Sequence, residues 1–235
     1  DPSRIMLSQL QYNGSSLIIQ GREFDLSRYA NISVIGAGKA GAAMVSAIEN
    51  LLGDRISLGL VNVPTVVPEC ANDGHSNLPL EKNRFLRVKL CSAGHPVPDE
   101  AGMSGANAIL KIAETAEADD LLICLISGGG SSLMPLPRYP LTLDDKRALT
   151  TTLLRSGASI SEINTVRKHI SAIKGGWLAY KAWPATVISL ILSDVPGDRL
   201  DFIASGPSVP DTSTFADACE VMCRYDLLQA APARV

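Results

Sequence analysis

Apolar runs of strand length alternate along this chain with stretches that repeat at helical spacing. The run Ile32–Ile35, closed by Gly36, predicts a buried strand. Lys39–Leu52 then sets Ala43, Met44, Ala47, Ile48, Leu51 and Leu52 at intervals of three and four, which predicts a helix stopped by Gly53. Leu58–Val63, cut by Pro64, and Leu86–Leu90 read as the next two strands. Between them Pro68–Arg84 has turn residues and no periodicity, and is expected to be a surface loop. Asp99 can cap a helix running to about Ala116, with Ile109, Ile112 and Ala113 facing inward. Leu121–Ile126 is apolar throughout, as a strand covered on both faces must be. Leu143–Arg155 reads as a helix with Asp144 and Asp145 at the positive end of its dipole. A helix over Ser161–Ile173 opened by Ser161, a β-branched strand over Thr186–Leu192 and a last helix over Thr214–Tyr225 complete the series.

Continuous apolar strands separated by amphipathic helices predict an α/β fold. It is a mostly parallel sheet with helices on both faces, a Rossmann-like three-layer domain. Ligands of such sheets bind beyond the carboxyl ends of the strands, so the residues directly after each strand are the place to look for chemistry.

Composition narrows the class. The 235 residues include 21 basic and 24 acidic side chains, a net charge of -3, with 46% hydrophobic and 19% charged residues. That balance excludes a disordered chain. Its mild acidity argues against nucleic acid as a partner, because phosphate neutralisation needs a basic surface. No apolar stretch approaches the roughly 18 residues of a membrane span. Five cysteines (Cys70, Cys91, Cys124, Cys219, Cys223), an odd number at irregular spacing, suggest free thiols in a reducing compartment. Cys219 and Cys223 share a helix face with no histidine nearby, and core packing is expected for both. His75 falls in the expected loop and His169 reads as a surface or packing residue. Asp1-Pro2-Ser3-Arg4 lacks an initiator Met and a signal-peptide pattern, so a fragment or processed chain is expected. The Asn13-Gly14-Ser15 and Asn31-Ile32-Ser33 sequons read as accidental.

Three strand ends carry polar, glycine-rich turns. After the first central strand, Gly36-Ala37-Gly38-Lys39-Ala40-Gly41 has the G-x-G-x-x-G spacing of a dinucleotide loop, which brings backbone N–H groups close to a phosphate or carboxylate. The acidic residue that should follow about 20 positions on, to hold a ribose hydroxyl, is missing. Lys39 adds a full positive charge; the plain alternative is a packing turn with a solvent-facing lysine. After Leu121–Ile126 comes Ser127-Gly128-Gly129-Gly130-Ser131-Ser132, a backbone nest suited to an anion or else a flexible turn. It lacks a Walker ending, and Ser131 as a nucleophile has no assignable triad. After Thr186–Leu192, Asp194 and Asp198 stand four apart in a turn, which suits Mg²⁺ or general-base work as well as a solvated turn. Ile203-Ala204-Ser205-Gly206-Pro207-Ser208 is a further small-residue turn able to shape a pocket.

Two more segments are candidates. Asn164, Arg167 and Lys168 share one face of a helix, followed by Lys174-Gly175-Gly176; they form either a solvated basic face or a phosphate-binding one. His95 lies in the rigid loop Gly94-His95-Pro96-Val97-Pro98-Asp99, where it can donate to an anionic substrate or cap the turn.

Taken in order, these stretches resemble the N-terminal domain of the glycerate kinases that carry a C-terminal MOFRL domain, the glycerate 2-kinase type. The resemblance rests on Val34–Ala40, Ala93–Asp99, Leu125–Leu133, Glu162–His169 with Ile173–Gly176, and Ser193–Asp198 with Ile203–Pro207, and it spans most of the chain. It implies ATP-dependent phosphorylation of D-glycerate to phosphoglycerate, with Mg²⁺, in a cleft between two α/β domains. The family's proposed catalytic lysine falls on Lys39. The glycine loops (Gly36, Gly38; Ser127, Gly128, Gly129, Gly130, Ser131) would hold phosphates or the glycerate carboxylate, with His95, Asn164, Arg167, Lys168 and Lys174 as further binding candidates. Asp194 and Asp198 are candidates for the metal, and Asp194 for accepting the substrate hydroxyl proton.

The resemblance also implies a second domain that this chain lacks and that supplies the other cleft wall. Residues 1–235 therefore read as one domain, and the isolated chain is expected to bind ligands poorly and turn over little. A cytoplasmic location is expected, with a mitochondrial one as alternative, and a homo-oligomer is compatible with the sequence. Two other functions stay open from the residues themselves. One is a nicotinamide-dependent oxidoreductase, resting on the Gly36–Gly41 spacing. The other is a non-catalytic module that binds a sugar phosphate or a partner.

Overall fold

The computed structural model describes residues 1–65, 87–229, 231, 232 and 234. Its centre is a five-stranded sheet of β4 (Asn31–Ala37), β5 (Leu58–Pro64), β6 (Val88–Ala93), β7 (Asp120–Ser127) and β8 (Thr186–Leu192), in the order β6-β5-β4-β7-β8. Every pair in it is parallel. From β4 the chain builds outward to β5 and β6, then returns to β4's other side for β7 and β8. The order reverses between β4 and β7, and that reversal opens a crevice at their carboxyl ends.

Side chains of β7 show why the sheet needs cover on both faces. Leu121, Ile123 and Leu125 enter one core; Leu122, Cys124 and Ile126 enter the other. On the first face lie α1 (Pro2–Leu7) and α2 (Gly41–Leu52), which contribute Met6, Met44, Val45 and Ile48. On the second lie α3 (Glu100–Glu114), the short α4 (Gly130–Leu133) and α7 (Trp177–Lys181), through Ile109, Leu133 and Leu178. Each aliphatic side chain so buried stabilises the fold by roughly 1.5–3 kcal/mol. A third apolar cluster joins α5 (Leu143–Arg155), α6 (Ile160–His169) and α8 (Phe215–Arg224) beside the sheet. Among the described residues no helix is long and apolar enough to cross a membrane.

Several expectations need correcting. The 10–25 region, for which no element is expected from the sequence, forms an antiparallel meander of β1 (Leu10–Tyr12), β2 (Ser16–Ile19) and β3 (Arg22–Asp25). Its strands are too short to show a period. The helix after β4 starts at Gly41, because residues 38–40 are spent on the turn. The Ser161 helix starts at Ile160; Ser159 is the cap, accepting from Glu162 N while Glu162 answers to the Ser159 amide. It stops at His169. Cys219 and Cys223 are exposed, because α8 turns Ala218, Val221 and Met222 inward instead. The β6 strand runs three residues further than Leu90, to Ala93. The Pro68–Arg84 loop, with Cys70 and His75, lies outside the described residues, as does Leu86. Leu143–Arg155 and Thr186–Leu192 match their predicted limits, and Asp99 caps α3 by accepting from Gly102 N.

Candidate functional site

The two glycine loops meet at the switch point. Gly38 and Ser127 touch so closely that a Cβ on Gly38 would run into Ser127 Oγ, and Gly38 itself has φ +157. Ser127 is almost fully buried, and its Oγ accepts from the Ala40 amide at 3.0 Å. Lys39 N donates to Gly128 O at 2.8 Å, Gly38 N to Asn62 O at 3.1 Å, and Gly41 N to Gly38 O at 3.0 Å. The amides that a dinucleotide loop would offer to a pyrophosphate are thus taken by the protein. What the first loop presents is the Lys39 side chain, exposed and without a hydrogen bond or ion pair among the described residues.

The second loop is the open one. Gly129 adopts φ +81, a left-handed conformation in which glycine avoids the Cβ penalty, and caps α4. The amides of Gly129, Gly130 and Ser131 find no acceptor among the described residues, so they remain available to an anion. His95 packs its ring edge against Gly129, and the Lys39 stem lies alongside. Burial, and then the Lys39 charge, hold His95 below its ordinary pKa, which favours the neutral ring at pH 7. A neutral imidazole can donate one hydrogen bond without adding charge.

Asp194 faces this loop from the end of β8. A Cβ on Gly128 would occupy the place of the Asp194 carboxylate. Asp194 and Asp198 line one 660 Å³ cavity together with Lys39, Ser127 and Gly128. An adjoining 390 Å³ cavity shares Gly128 and Asp194 and adds Gly129, Ser131, Asn164 and Arg167. Among the described residues no group of three or more His, Cys, Asp or Glu is placed to hold a metal ion. Mg²⁺ bound with phosphates needs only one or two protein carboxylates, so the Asp194–Asp198 pair fits that role.

Beneath the loop runs a hydroxyl chain. Ser131 Oγ and Ser205 Oγ are 2.8 Å apart, and Ser205 Oγ donates to Asn164 Oδ1 at 3.3 Å. Ala204 and Ser205 both adopt left-handed backbone, with φ 52 and φ 60. For L-residues this costs roughly 1–2 kcal/mol each. The turn is held by Gly175 N donating to Ser205 O at 3.0 Å and Gly176 N to Gly206 O at 2.7 Å. Ser205 gave no sequence signal beyond its place in a small-residue turn.

The basic candidates of α6 separate. Asn164 and Arg167 reach the crevice, so the face is not a solvated one. Lys168 turns the other way and is buried; its Nζ pairs with Asp211 at 3.1 Å and lies 3.9 Å from Asp201. It lines a separate 870 Å³ hollow edged by Trp177, Tyr180, Trp183 and Phe215. Lys174 is wholly buried behind the site, donating from Nζ to Met134 O at 3.2 Å and Ala204 O at 3.4 Å. Burial, then Lys146 and Arg167, push its pKa well down. Lys146 escaped the sequence reading altogether, although it stands three residues after Leu143 and three before Leu149, on the apolar stripe of α5.

Fold and crevice together define an α/β domain with a polar, glycine-rich crevice at the switch point of a parallel sheet. Over residues 1–235 the chain matches the family described as "Domain of unknown function (DUF4147)", and it belongs to that family. It is 41% identical over 235 residues to a glycerate 2-kinase of Pyrococcus horikoshii, covering 100% of this chain and 49% of that protein. It is 47% identical over 202 residues to an Agrobacterium vitis protein named "Putative hydroxypyruvate reductase", covering 85% of this chain and 43% of the relative. The crystal structure of a Pyrococcus horikoshii protein superimposes with a TM-score of 0.86 at 40% identity, covering 100% of this chain and 49% of that one. The chain spans about half the length of the curated relatives it matches.

Proposed function

We propose that this domain is half of an ATP-dependent kinase that phosphorylates D-glycerate. The observation that carries the reading is the meeting, around joined cavities, of a lysine and a loop of amides without partners among the described residues and an aspartate: Lys39, Gly129–Ser131 and Asp194. Phosphoryl transfer asks the protein mainly for positioning and for charge stabilisation on the transferring group.

In this reading the acceptor hydroxyl of glycerate attacks the γ-phosphorus of ATP, and the bond to the ADP oxygen breaks. Lys39 stabilises the negative charge spread over the transferring oxygens. The amides of Gly129, Gly130 and Ser131 hold a phosphate or carboxylate. Asp194, within the same cavity as Lys39, accepts the hydroxyl proton or shares the metal with Asp198. Mg²⁺, when bound, would neutralise phosphate charge. The other wall of the cleft would come from the remaining half of a protein as long as its relatives, of the kind named MOFRL above.

A reductase reading is favoured by one observation, the name of the Agrobacterium relative. The closed amides of residues 38–41 and the absence of a ribose-binding acid run against it, since Asn62 stands at the end of β5 and is buried. ADP release with D-glycerate, ATP and Mg²⁺ tests the kinase reading, on this chain and on the longest native protein that contains it. Activity in the longer protein, lost in Lys39→Ala, supports it. A folded longer protein that releases no ADP but consumes NADH with hydroxypyruvate overturns it.

A further inference from the structure

Behind the crevice a buried positive charge has no balancing partner among the described residues. Lys146 lies on the buried stripe of α5, only 3% exposed. A capping box of Thr142 and Asp145 sets the start of α5, so the helix cannot roll Lys146 out to water. Its Nζ is buried and has no hydrogen-bond partner among the described residues; the same holds for Arg167 Nε on the neighbouring α6. Arg167 lines the 390 Å³ cavity beside Gly129, Ser131 and Asn164. Lys174, the third buried cation, is satisfied by two carbonyl oxygens, whereas Lys146 and Arg167 make no hydrogen bond or ion pair among the described residues.

The charged groups around Lys146 offer no relief. On its own helix Asp144 pairs with Arg147 at 2.8 Å, and Asp145 is bound to Thr142 and to Arg234. On α6 Glu162 is held by Arg224 and Tyr225, and Lys168 by Asp211. Arg167 and Lys174 both repel it. A buried, unpaired cation is costly, and two facing each other more so. The cost becomes intelligible if a ligand supplies the missing negative charge.

We propose that Arg167 and Lys146 form a buried cationic subsite for an anionic oxygen group, a carboxylate or a phosphate, at the inner end of the cavity. Arg167 meets the anion directly, and Lys146 stands behind it as a positioning residue that takes up a proton as the anion enters. Burial, then the Arg167 charge, bring Lys146 down to about 7, so the empty site holds it partly neutral at physiological pH. An anion lifts that pKa by offsetting the Arg167 repulsion, so binding takes up protons and weakens as pH rises above 7. The subsite rests on the kinase reading for the identity of glycerate, not for the binding of an anion.

The experiment is calorimetric titration with D-glycerate, with inorganic phosphate and with glycerol, at pH 7 and pH 9, in buffers of differing ionisation enthalpy. It uses this chain and the longest native protein containing it. The expected result is binding of an anion with net proton uptake, at least tenfold weaker at pH 9, and no binding of neutral glycerol. Lys146→Met should abolish the proton uptake and the pH dependence and weaken binding tenfold or more without lowering Tm. Lys146→Arg, always charged, should bind without the pH dependence, and Arg167→Gln should lose binding. Phosphate binding with Lys146-dependent proton uptake but no glycerate binding would keep the subsite and sink the glycerate reading. Glycerate binding that Lys146→Met leaves unchanged, proton uptake included, or no anion binding by either protein, would overturn the subsite.

Discussion

Ser127 Oγ accepts the backbone N–H of Ala40 at 3.0 Å, and through that bond the loop after β7 holds the loop after β4. Neither loop is shaped by its own sequence alone. Ser127→Ala leaves the Ala40 amide without its acceptor in a partly buried place, at a cost of about 1–3 kcal/mol. Thermal denaturation should show a drop in Tm of about 2–4 °C for each kcal/mol lost. An unchanged Tm would mean that the contact does not hold the loops together.

Gly128→Ala tests the facing relation with Asp194. The added methyl would take the carboxylate's place, and Asp194, exposed, would swing aside. Stability should change by less than about 1 kcal/mol, because the group displaced is an exposed side chain. Phosphotransfer by the longer protein should fall at least tenfold. Full activity would exclude Asp194 from both the proton-accepting and the metal-binding role.

Lys39→Ala should leave Tm within experimental error, since the ammonium makes no hydrogen bond or ion pair among the described residues. The rate should fall by about 10²–10³, the usual cost of removing one charge-stabilising donor from a transition state. A loss confined to KM, with kcat intact, would place Lys39 in ground-state binding only.

Glu162 gives a pH-dependent prediction. Hydrogen bonds from the Ser159 amide, the Ser159 hydroxyl and Tyr225, with Arg224 beside them, hold its pKa at about 2, against an ordinary 4.5. The folded state therefore binds the proton less readily than the unfolded chain. The stability this contributes is present above pH 4.5 and is lost as pH falls towards 2. Glu162→Gln should lower Tm at pH 7 and flatten the acid arm of the stability profile across that window. A parallel acid arm in both proteins would refute the assignment.

The chain's own pattern was enough to determine the five strands of the central sheet and the longer helices α2 and α3 on its faces, because an apolar run such as Leu121–Ile126 has one use in an α/β domain; the short α1, α4 and α7 are too brief to show a period. The motifs at the strand ends likewise determined where the crevice would be. Three things were decided only in three dimensions. The amides of Lys39 and Ala40 are consumed by a loop nearly 90 residues away in the chain, which no local spacing can announce. Lys168 and Arg167 are neighbours in sequence, yet packing against Asp211 takes one into a separate hollow and leaves the other in the crevice. Lys146 sat in plain view on an apolar stripe, but a lysine among charged neighbours reads as surface until α6 is packed over it. Local propensity and periodicity act over a turn or two of chain. The satisfaction of a hydrogen bond or a charge depends on whatever the fold brings within about 3 Å.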